Sequence, residues 1–298
     1  MKSTKLLTLF ILGLGTMIMS SCKEDPYKTS HPDYGKIECL TVWDSEAGNF
    51  SLPEKYTLYV DGQTSTIPTT ERVFPTLLKA GEYSVLVYSN SEKISVEPAF
   101  STVAEVKVDK DGFINGNIGW LYAMSDIVRV KEDMVNKMTG EMKPLVRKLI
   151  LILTIKDLAA SYAYASFIDG SAVLTGVASQ WDYIDNKVIS GSEVKVRPEF
   201  KPGDNIGEFV ASVDLLGIVP DSKEGQVLFF KLLYNDGGKE KTIDIKVDLT
   251  FSMKAFNTNK RTPMVLKCNI WDVEAEIIGW EVIDAGSQSV IWSLNFGD

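Results

Sequence analysis

Short apolar runs separated by tight turns recur along almost the whole chain, and this pattern constrains the fold more than any other feature. In the clearest run, residues 242–249, four aliphatic side chains alternate with polar ones. Period-two alternation is typical of a strand with one buried face. We expect further strands at residues 36–43, 56–60, 63–67, 83–88, 103–108, 127–130, 208–215, 226–234, 264–270, 277–282 and 290–296.

Glycine-containing turn sequences separate these runs. Asp61-Gly62 is a two-residue signal for a type I′ hairpin, and residues 109–112 (DKDG) and 235–238 (NDGG) predict two more tight turns. Many short strands joined in this way are typical of β-sandwiches. The sequence therefore predicts an all-β fold class.

The length suits two domains of ordinary size or one large β domain. Residues 134–143 are polar and contain Gly140, so we interpret them as an interdomain connection. The predicted organisation is a signal peptide at residues 1–21, a tether at 22–35, and β-sandwich domains at 36–143 and 144–298. Residues 145–155 (LVRKLILILTI) open the second domain as a strand, although a buried helix has the same pattern. A short helical turn is expected near residues 252–257.

The beginning of the chain carries a secretory signal pattern. Lys2 and Lys5 precede an apolar run at residues 6–19, which is shorter than the ~20 residues of a membrane-spanning helix. Ser20 and Ser21 then lead to Cys22, which resembles a bacterial lipobox. That likeness implies cleavage before Cys22 and acylation of its thiol. The alternative is an ordinary signal peptide with a chance cysteine.

Lys23, Glu24 and Asp25 follow Cys22 directly. They resemble the export signal of Bacteroidetes surface lipoproteins, which implies an outer-membrane lipoprotein that faces the cell surface. A charged tether without such a signal is the alternative. The formal net charge of −9 argues against a nucleic-acid partner, which requires a basic face. We expect the lipid to be the only membrane anchor.

The sequence does not contain the residue combinations of the common catalytic sites. The single histidine, His31, lies in the predicted tether, and no phosphate-binding glycine loop is present. Asp109 and Asp111 belong to a predicted turn, where acids are usual, although composition alone leaves a two-carboxylate glycosidase open. We therefore expect no enzyme activity, no cofactor and no metal site.

Cysteine and tryptophan side chains leave two choices open. Cys39 and Cys268 lie in strand-like runs, and two buried free thiols are favoured over a disulfide, which export would permit. The tryptophans have two interpretations. They could be exposed and stack on sugars, or they could pack in the core, and the second interpretation is favoured. They are Trp43, Trp120, Trp181, Trp271, Trp280 and Trp292.

Five segments carry a likeness to a known family. They are HPDYGKI from His31, PEKYTLYVDG from Pro53, LKAGEYSVLVYSN from Leu78, MKPLVRKLILIL from Met142 and AFNTNKRTPMVL from Ala255. In this order the chain resembles the FimB-type anchor subunits of the Bacteroidetes fimbrillin superfamily. The resemblance implies two tandem transthyretin-like β-sandwich domains, no catalysis, and a lipidated fimbrial subunit whose partners are other fimbrial subunits.

Two functions follow as hypotheses. The first is a non-catalytic, lipid-anchored fimbrial subunit joined to its neighbours by β-strand complementation. The alternative is a surface lipoprotein that binds glycans or proteins as an adhesin. Within the first hypothesis, we expect the first strand to be retained, because Lys55 is the only basic residue placed to allow its removal before Arg72.

Overall fold

The computed structural model describes residues 33–43, 52–98, 102–155, 166–236 and 238–270, and the backbone of 280–284. These residues form 22 strands and no helix. The first ten strands are β1 (Tyr34–Trp43), β2 (Lys55–Val60), β3 (Gln63–Pro68), β4 (Leu78–Lys79), β5 (Gly81–Ser89), β6 (Ile94–Val96), β7 (Val103–Val106), β8 (Phe113–Ile114), β9 (Tyr122–Val130) and β10 (Val135–Pro144). The others are β11 (Arg147–Ile155), β12 (Ser166–Phe167), β13 (Val173–Ala178), β14 (Gln180–Asp182), β15 (Lys187–Val188), β16 (Glu193–Val196), β17 (Lys201–Pro202), β18 (Glu208–Leu215), β19 (Val227–Asp236), β20 (Lys239–Asp248), β21 (Met264–Ile270) and β22 (Trp280–Asp284).

The first sandwich is one sheet that folds over itself. Its strand order is β3-β2-β5-β9-β10-β1-β4, and β9 and β10 are joined by only two residue pairs at one end. Trp43 of β1 contacts Tyr56 of β2 at 6.3 Å between ring centroids, although four strand steps separate them in the sheet. The β1 and β2 portions therefore face each other across a core that includes Leu58, Phe74 and Met142.

The second sandwich packs two sheets face to face. One has the order β17-β18-β11-β21-β22, and the other has the order β12-β19-β13-β16-β8, with β20 beside β19. Both sheets contribute to one core, to which β11 brings Leu149, Leu151 and Leu153, all fully buried. A smaller sheet, β15-β14-β7-β6, packs against the same core.

The predicted all-β class is confirmed, and most predicted strands lie within one to three residues of observed ones at each end. The strand prediction for residues 145–155 is correct, and the rival buried helix is wrong: β11 alternates buried and half-buried positions along its whole length. Asp61 and Gly62 adopt positive φ angles of 50° and 77°, as a type I′ turn requires. Residues 252–257 form a run of turns, and residues 290–296 lie outside the described residues.

The interpretation of residues 134–143 as an interdomain connection is wrong. They form β10, which runs parallel to β1 over eight residue pairs, from Lys36↔Val135 to Trp43↔Met142. Met138 and Met142 point into the core while Lys137, Thr139 and other polar side chains point outward. The strand was not recognised from the sequence because its outer face is polar. Its inner face carries methionine and glycine in place of the β-branched residues that are typical of strands.

Packing crosses the chain-order division predicted at residue 144. Strands β6, β7 and β8 precede that division, yet β7 pairs with β14 and β8 pairs with β16. Ile94, Val106 and Ile118 belong to the core of the second sandwich. The division into 36–143 and 144–298 stays a prediction, and strands β6, β7 and β8 pack with the second half of the chain.

Two buried basic side chains, Arg147 and Lys260, hold the long turn that precedes β21. Arg147 is fully buried and donates from Nε to the Thr262 carbonyl at 2.8 Å and from Nη1 to the Ala255 and Phe256 carbonyls at 3.1 and 2.9 Å. Lys260 donates from Nζ to the carbonyls of Leu145 and Leu216. This network ties residues 255–262 to the start of β11.

The environment of Lys260 is unusual for an ammonium group. Its Nζ lies 2.9 Å from the ring centroid of Trp181, which is itself buried. Burial lowers the pKa of Lys260 well below its ordinary value, and the neighbouring positive charge of Arg147 lowers it further. Arg147 and Lys260 both act as donors to main-chain carbonyls inside the core.

Candidate functional site

Strand β1 begins at Tyr34, inside the tether predicted at residues 22–35, and main-chain partners hold both of its edges. On one edge it pairs in parallel with β10. On the other it pairs with β4 at Tyr34 and Gly35, and then with an extended segment in which Phe74 N donates to the Ile37 carbonyl at 2.9 Å. Further along this edge, Cys39 N donates to the Arg72 carbonyl at 2.7 Å. The main chain of β1 is thus integrated into its own sandwich.

The inner face of β1 fills the centre of the first core. Ile37 and Cys39 have no exposed surface. Full burial of an aliphatic side chain of this size contributes ~1.5–3 kcal/mol. Burial also raises the pKa of the Cys39 thiol to about 12, so the thiol stays protonated at neutral pH. Loss of β1 would expose the core side chains that it covers.

Both ends of β1 are fixed by specific contacts. At the beginning, Gly35 is buried so closely against the turn before β10 that a Cβ there would clash with the Lys131 carbonyl oxygen. Asn136 donates from its amide to the carbonyls of Lys36, Lys131 and Met134 and ties this turn to the strand. These contacts define the register of β1 at its N-terminal end.

At the end of β1, Trp43 contacts Tyr56 and, at 5.8 Å between centroids, Tyr122. Its Nε1 donates to the Thr41 hydroxyl at 3.0 Å. Aromatic pairs in edge-to-face geometry contribute ~0.5–1.5 kcal/mol beyond the burial of their area. These aromatic contacts therefore pack the C-terminal end of β1 against the first core.

The outer face of β1 is partly apolar. Leu40 and Val42 are 38% and 51% exposed, and Val73, which bridges to Glu38, is 41% exposed. Glu38 makes an ion pair with Lys137 at 3.6 Å between Nζ and Oε2. The side of β1 that points away from the core thus presents aliphatic surface bordered by charges.

The predicted lipidation and export residues precede this strand in the chain. Cys22, Lys23, Glu24 and Asp25 lie outside the described residues, as does His31. Residues 23–33 separate Cys22 from the start of β1. Any acyl group on Cys22 would therefore be connected to the core through a short segment and β1 alone.

The free-thiol interpretation agrees with the structure. Cys39 lies in the first core and Cys268 in the second, and both are free and buried. Burial raises the pKa of the Cys268 thiol to about 12 as well. The two cysteines therefore lie in similar environments, one on β1 and one on β21.

The predicted turn acids have structural partners. The Asp109 carboxylate accepts from Asp111 N and Phe113 N, both at 2.9 Å, and the bond from Phe113 is the largest cause that lowers its pKa. Within the described ranges, no group of three or more His, Cys, Asp or Glu residues has metal-binding geometry. In the same ranges, no helix is long and apolar enough to cross a membrane.

The described tryptophans mostly serve packing. Trp181 is buried, and Trp43 and Trp120 are half-buried against the cores. Trp271 and Trp292 lie outside the described residues, and only the backbone of Trp280 is described.

Two clefts lie on the second sandwich. A cleft of about 460 Å³ opens beside edge strands β12 and β17, where Phe167 and Phe200 stack at 4.3 Å between ring centroids. Its wall also includes Asp169, Arg197 and Glu199. A larger cleft of about 620 Å³ between β16 and the turn after β18 is lined by glycines, serines and charged residues.

Two features of the site escaped the sequence-based predictions. The first is β10, the partner of β1, whose signal was the alternation of Met138, Gly140, Met142 and Pro144 on the inner face. The second is the Phe167–Phe200 pair, which the fold brings together from positions far apart in the chain. No local pattern in the sequence predicts that contact.

Solved structures match the chain over most of its length. A proposed adhesin from Bacteroides ovatus has a TM-score of 0.59 at 11% identity, over 89% of this chain and 96% of that one. A proposed polysaccharide-binding protein from Bacteroides thetaiotaomicron has a TM-score of 0.53 at 12% identity, over 84% and 95%. A second proposed adhesin from Bacteroides ovatus has a TM-score of 0.50 at 18% identity, over 78% and 88%.

These likenesses define the class of fold. The chain has the β-sandwich fold of these Bacteroides structures, at identities that establish shared architecture alone. No protein-family model matches the chain, and no curated protein matches it in sequence.

Proposed function

We propose that this chain is a non-catalytic, lipid-anchored subunit of a cell-surface fimbria, placed at its base. Cys22 carries the lipid, and Lys23, Glu24 and Asp25 direct the protein to the outer face of the outer membrane. The subunit joins its neighbour by β-strand complementation, in which main-chain pairing gives affinity and side-chain pockets give specificity. The adhesin-type fold of the Bacteroides structures supports a surface role.

One observation supports the assignment as an anchor subunit. The main chain of β1 is already paired within its own sandwich, and its inner side chains already fill the core. In the described residues, β1 pairs with β10 on one edge and with the segment at Arg72–Phe74 on the other as far as Cys39, which supports a groove that is already filled. A subunit in this state can donate a strand or dock, but it accepts none here. The lipid also stays covalently joined to the folded protein, as an anchor requires.

The distribution of basic residues supports retention of β1. Lys55 is the first residue of β2 and the only basic site between β1 and Arg72. Cleavage after Arg72 would separate the chain beyond the β2–β3 hairpin, and the Arg72 carbonyl accepts a hydrogen bond from β1. Removal of β1 by an arginine-specific protease therefore has no suitable site.

A second candidate function is binding of a glycan or protein as a surface adhesin. The stacked Phe167 and Phe200 beside Asp169, Arg197 and Glu199 combine an aromatic wall with polar groups. Ligand pockets commonly combine an apolar wall with a few polar groups. One of the structures that share the fold is a proposed polysaccharide-binding protein. Binding of a glycan that depends on Phe200 would favour this function for the second sandwich.

The occupancy of β1 can be tested by labelling its cysteine on intact fibres. We expect Cys39 to resist a membrane-impermeant maleimide at pH 7.5 as strongly as Cys268, because both thiols are buried and protonated. Both should react fully after unfolding in denaturant. The measurement is peptide mass spectrometry of the labelled protein.

Cys268 serves as the matched control, since it lies on β21 of the second sandwich. Rapid labelling of Cys39 with protection of Cys268 would mean that β1 leaves its groove, and the anchor assignment would then be wrong. Absence of the Cys39 peptide from surface protein would have the same meaning, because it would show that β1 had been removed.

A further inference from the structure

Strand β20 forms a long free edge on the second sandwich. It pairs with β19 at all ten of its positions, from Val227↔Asp248 to Asp236↔Lys239, and with no other strand among the described residues. Its first four residues are exposed, and its outer positions remain exposed to the end. Unpaired edges of this length are templates for pairing with another strand.

The hydrogen-bond pattern shows which residues of β20 face the free edge. Leu249 N donates to the Gln226 carbonyl at 2.7 Å, so the antiparallel pair 226/249 is a hydrogen-bonded pair. Hydrogen-bonded and non-hydrogen-bonded pairs alternate along such a ladder. The odd-numbered residues of β20 therefore bond to β19, and the even-numbered ones direct their N–H and C=O groups outward.

The two faces of β20 differ in chemistry. Ile243 and Ile245 are half-buried and pack against the second core. On the opposite face, the Lys231 and Asp244 side chains form an ion pair at 3.0 Å, and Lys246 lies over the Phe229 ring. The exposed Glu240 carboxylate lies near the other end of this polar face.

We propose that a second copy of this chain pairs with β20 through its own β20, antiparallel and about a two-fold axis at Ile243. This register places Glu240 of each copy opposite Lys246 of the other, and Ile243 opposite Ile243. The outward-pointing residues of the two strands meet as hydrogen-bonded pairs. Two opposite-charge pairs and a central apolar pair therefore form together.

Neighbouring registers are less favourable. An axis at Thr242 places Glu240 opposite Asp244, and an axis at Asp244 places that residue opposite itself; like charges in such positions are destabilising. An axis at Ile245 places Asp244 opposite Lys246, and Asp244 must then be shared with Lys231. Charge complementarity thus leaves the axes at Ile243 and Ile245, and the existing Lys231–Asp244 ion pair favours the axis at Ile243, in a self-complementary contact of the kind that two-fold dimers use.

The test is the dimer dissociation constant of the full chain in density-matched detergent, measured by sedimentation equilibrium. Each single swap, Glu240→Lys or Lys246→Glu, turns two attractive pairs into two repulsive ones. We expect each to weaken the dimer about tenfold or more. The double variant Glu240→Lys with Lys246→Glu restores both pairs and should recover most of the lost affinity.

Glu92→Lys is the matched control, because Glu92 is an exposed acid outside β20 and its change should leave the constant unaltered. A monomeric wild-type chain across the concentration range would overturn the proposal. Full dimerisation of Glu240→Lys would overturn the axis at Ile243, since the axis at Ile245 does not involve Glu240. Failure of the double variant to recover affinity would overturn the charge pairing.

Discussion

Replacement of Arg147 by methionine is expected to lower the free energy of unfolding by about 3–5 kcal/mol. The guanidinium is fully buried and donates to the carbonyls of Ala255, Phe256 and Thr262. Methionine fills much of the volume but donates no hydrogen bond, so these carbonyls lose charged donors at ~1–3 kcal/mol each. Urea unfolding followed by tryptophan fluorescence measures the change.

Arg261→Met is the control for this prediction. Arg261 pairs with Glu141 where both side chains are nearly half exposed. Exposed ion pairs contribute ~0–1 kcal/mol. Equal losses in the two variants would mean that the buried network does not hold the turn before β21.

Replacement of Cys22 by alanine is expected to release the protein from the outer membrane completely. The variant lacks the thiol at the predicted lipidation position, so no acyl chains can be attached there. Several acyl chains together anchor stably, at ~0.8 kcal/mol per buried CH₂. Fractionation and metabolic labelling with palmitate measure the loss. Retention in the membrane pellet with unchanged processing would contradict the lipoprotein assignment.

A companion variant separates lipidation from surface export. Replacement of Lys23, Glu24 and Asp25 by alanine should leave palmitate labelling intact, but the lipidated protein should then face the periplasm. Protease treatment of intact cells should then digest the wild type and spare the variant. Equal digestion of the wild type and the variant would show that these three residues do not act as an export signal.

Local sequence patterns predicted most strands because each carries its own period. β20 alternates from Ile243 to Asp248, and Asp61-Gly62 fixes the turn between β2 and β3. β10 was missed because burial of its inner face depends on a partner, β1, that lies about a hundred residues earlier. The alternation of Met138, Gly140 and Met142 was only a weak local signal, because pairing over such a separation is not visible in a short sequence window.

Two segments quoted for the family resemblance meet in space. Arg147 belongs to MKPLVRKLILIL, and the carbonyls it binds belong to AFNTNKRTPMVL. In the sequence, Arg147 is a charged residue within the strand predicted at residues 145–155, and burial of its guanidinium became visible only with the fold. Strands β6, β7 and β8 show the same limit, since their order in the chain placed them with the first sandwich and their side chains pack in the second core.

The mature N-terminus of the surface-exposed protein tests the central claim most directly. Intact mass and peptide mass spectrometry of protein released from the cell surface should find acylated Cys22 followed by residues 23–43, with β1 present. That result fits a lipid-anchored subunit that fills its own first sheet. A mature N-terminus at Lys55 or beyond would contradict the account, because the protein would then have lost both its lipid and β1 and would be a shaft subunit with an open groove.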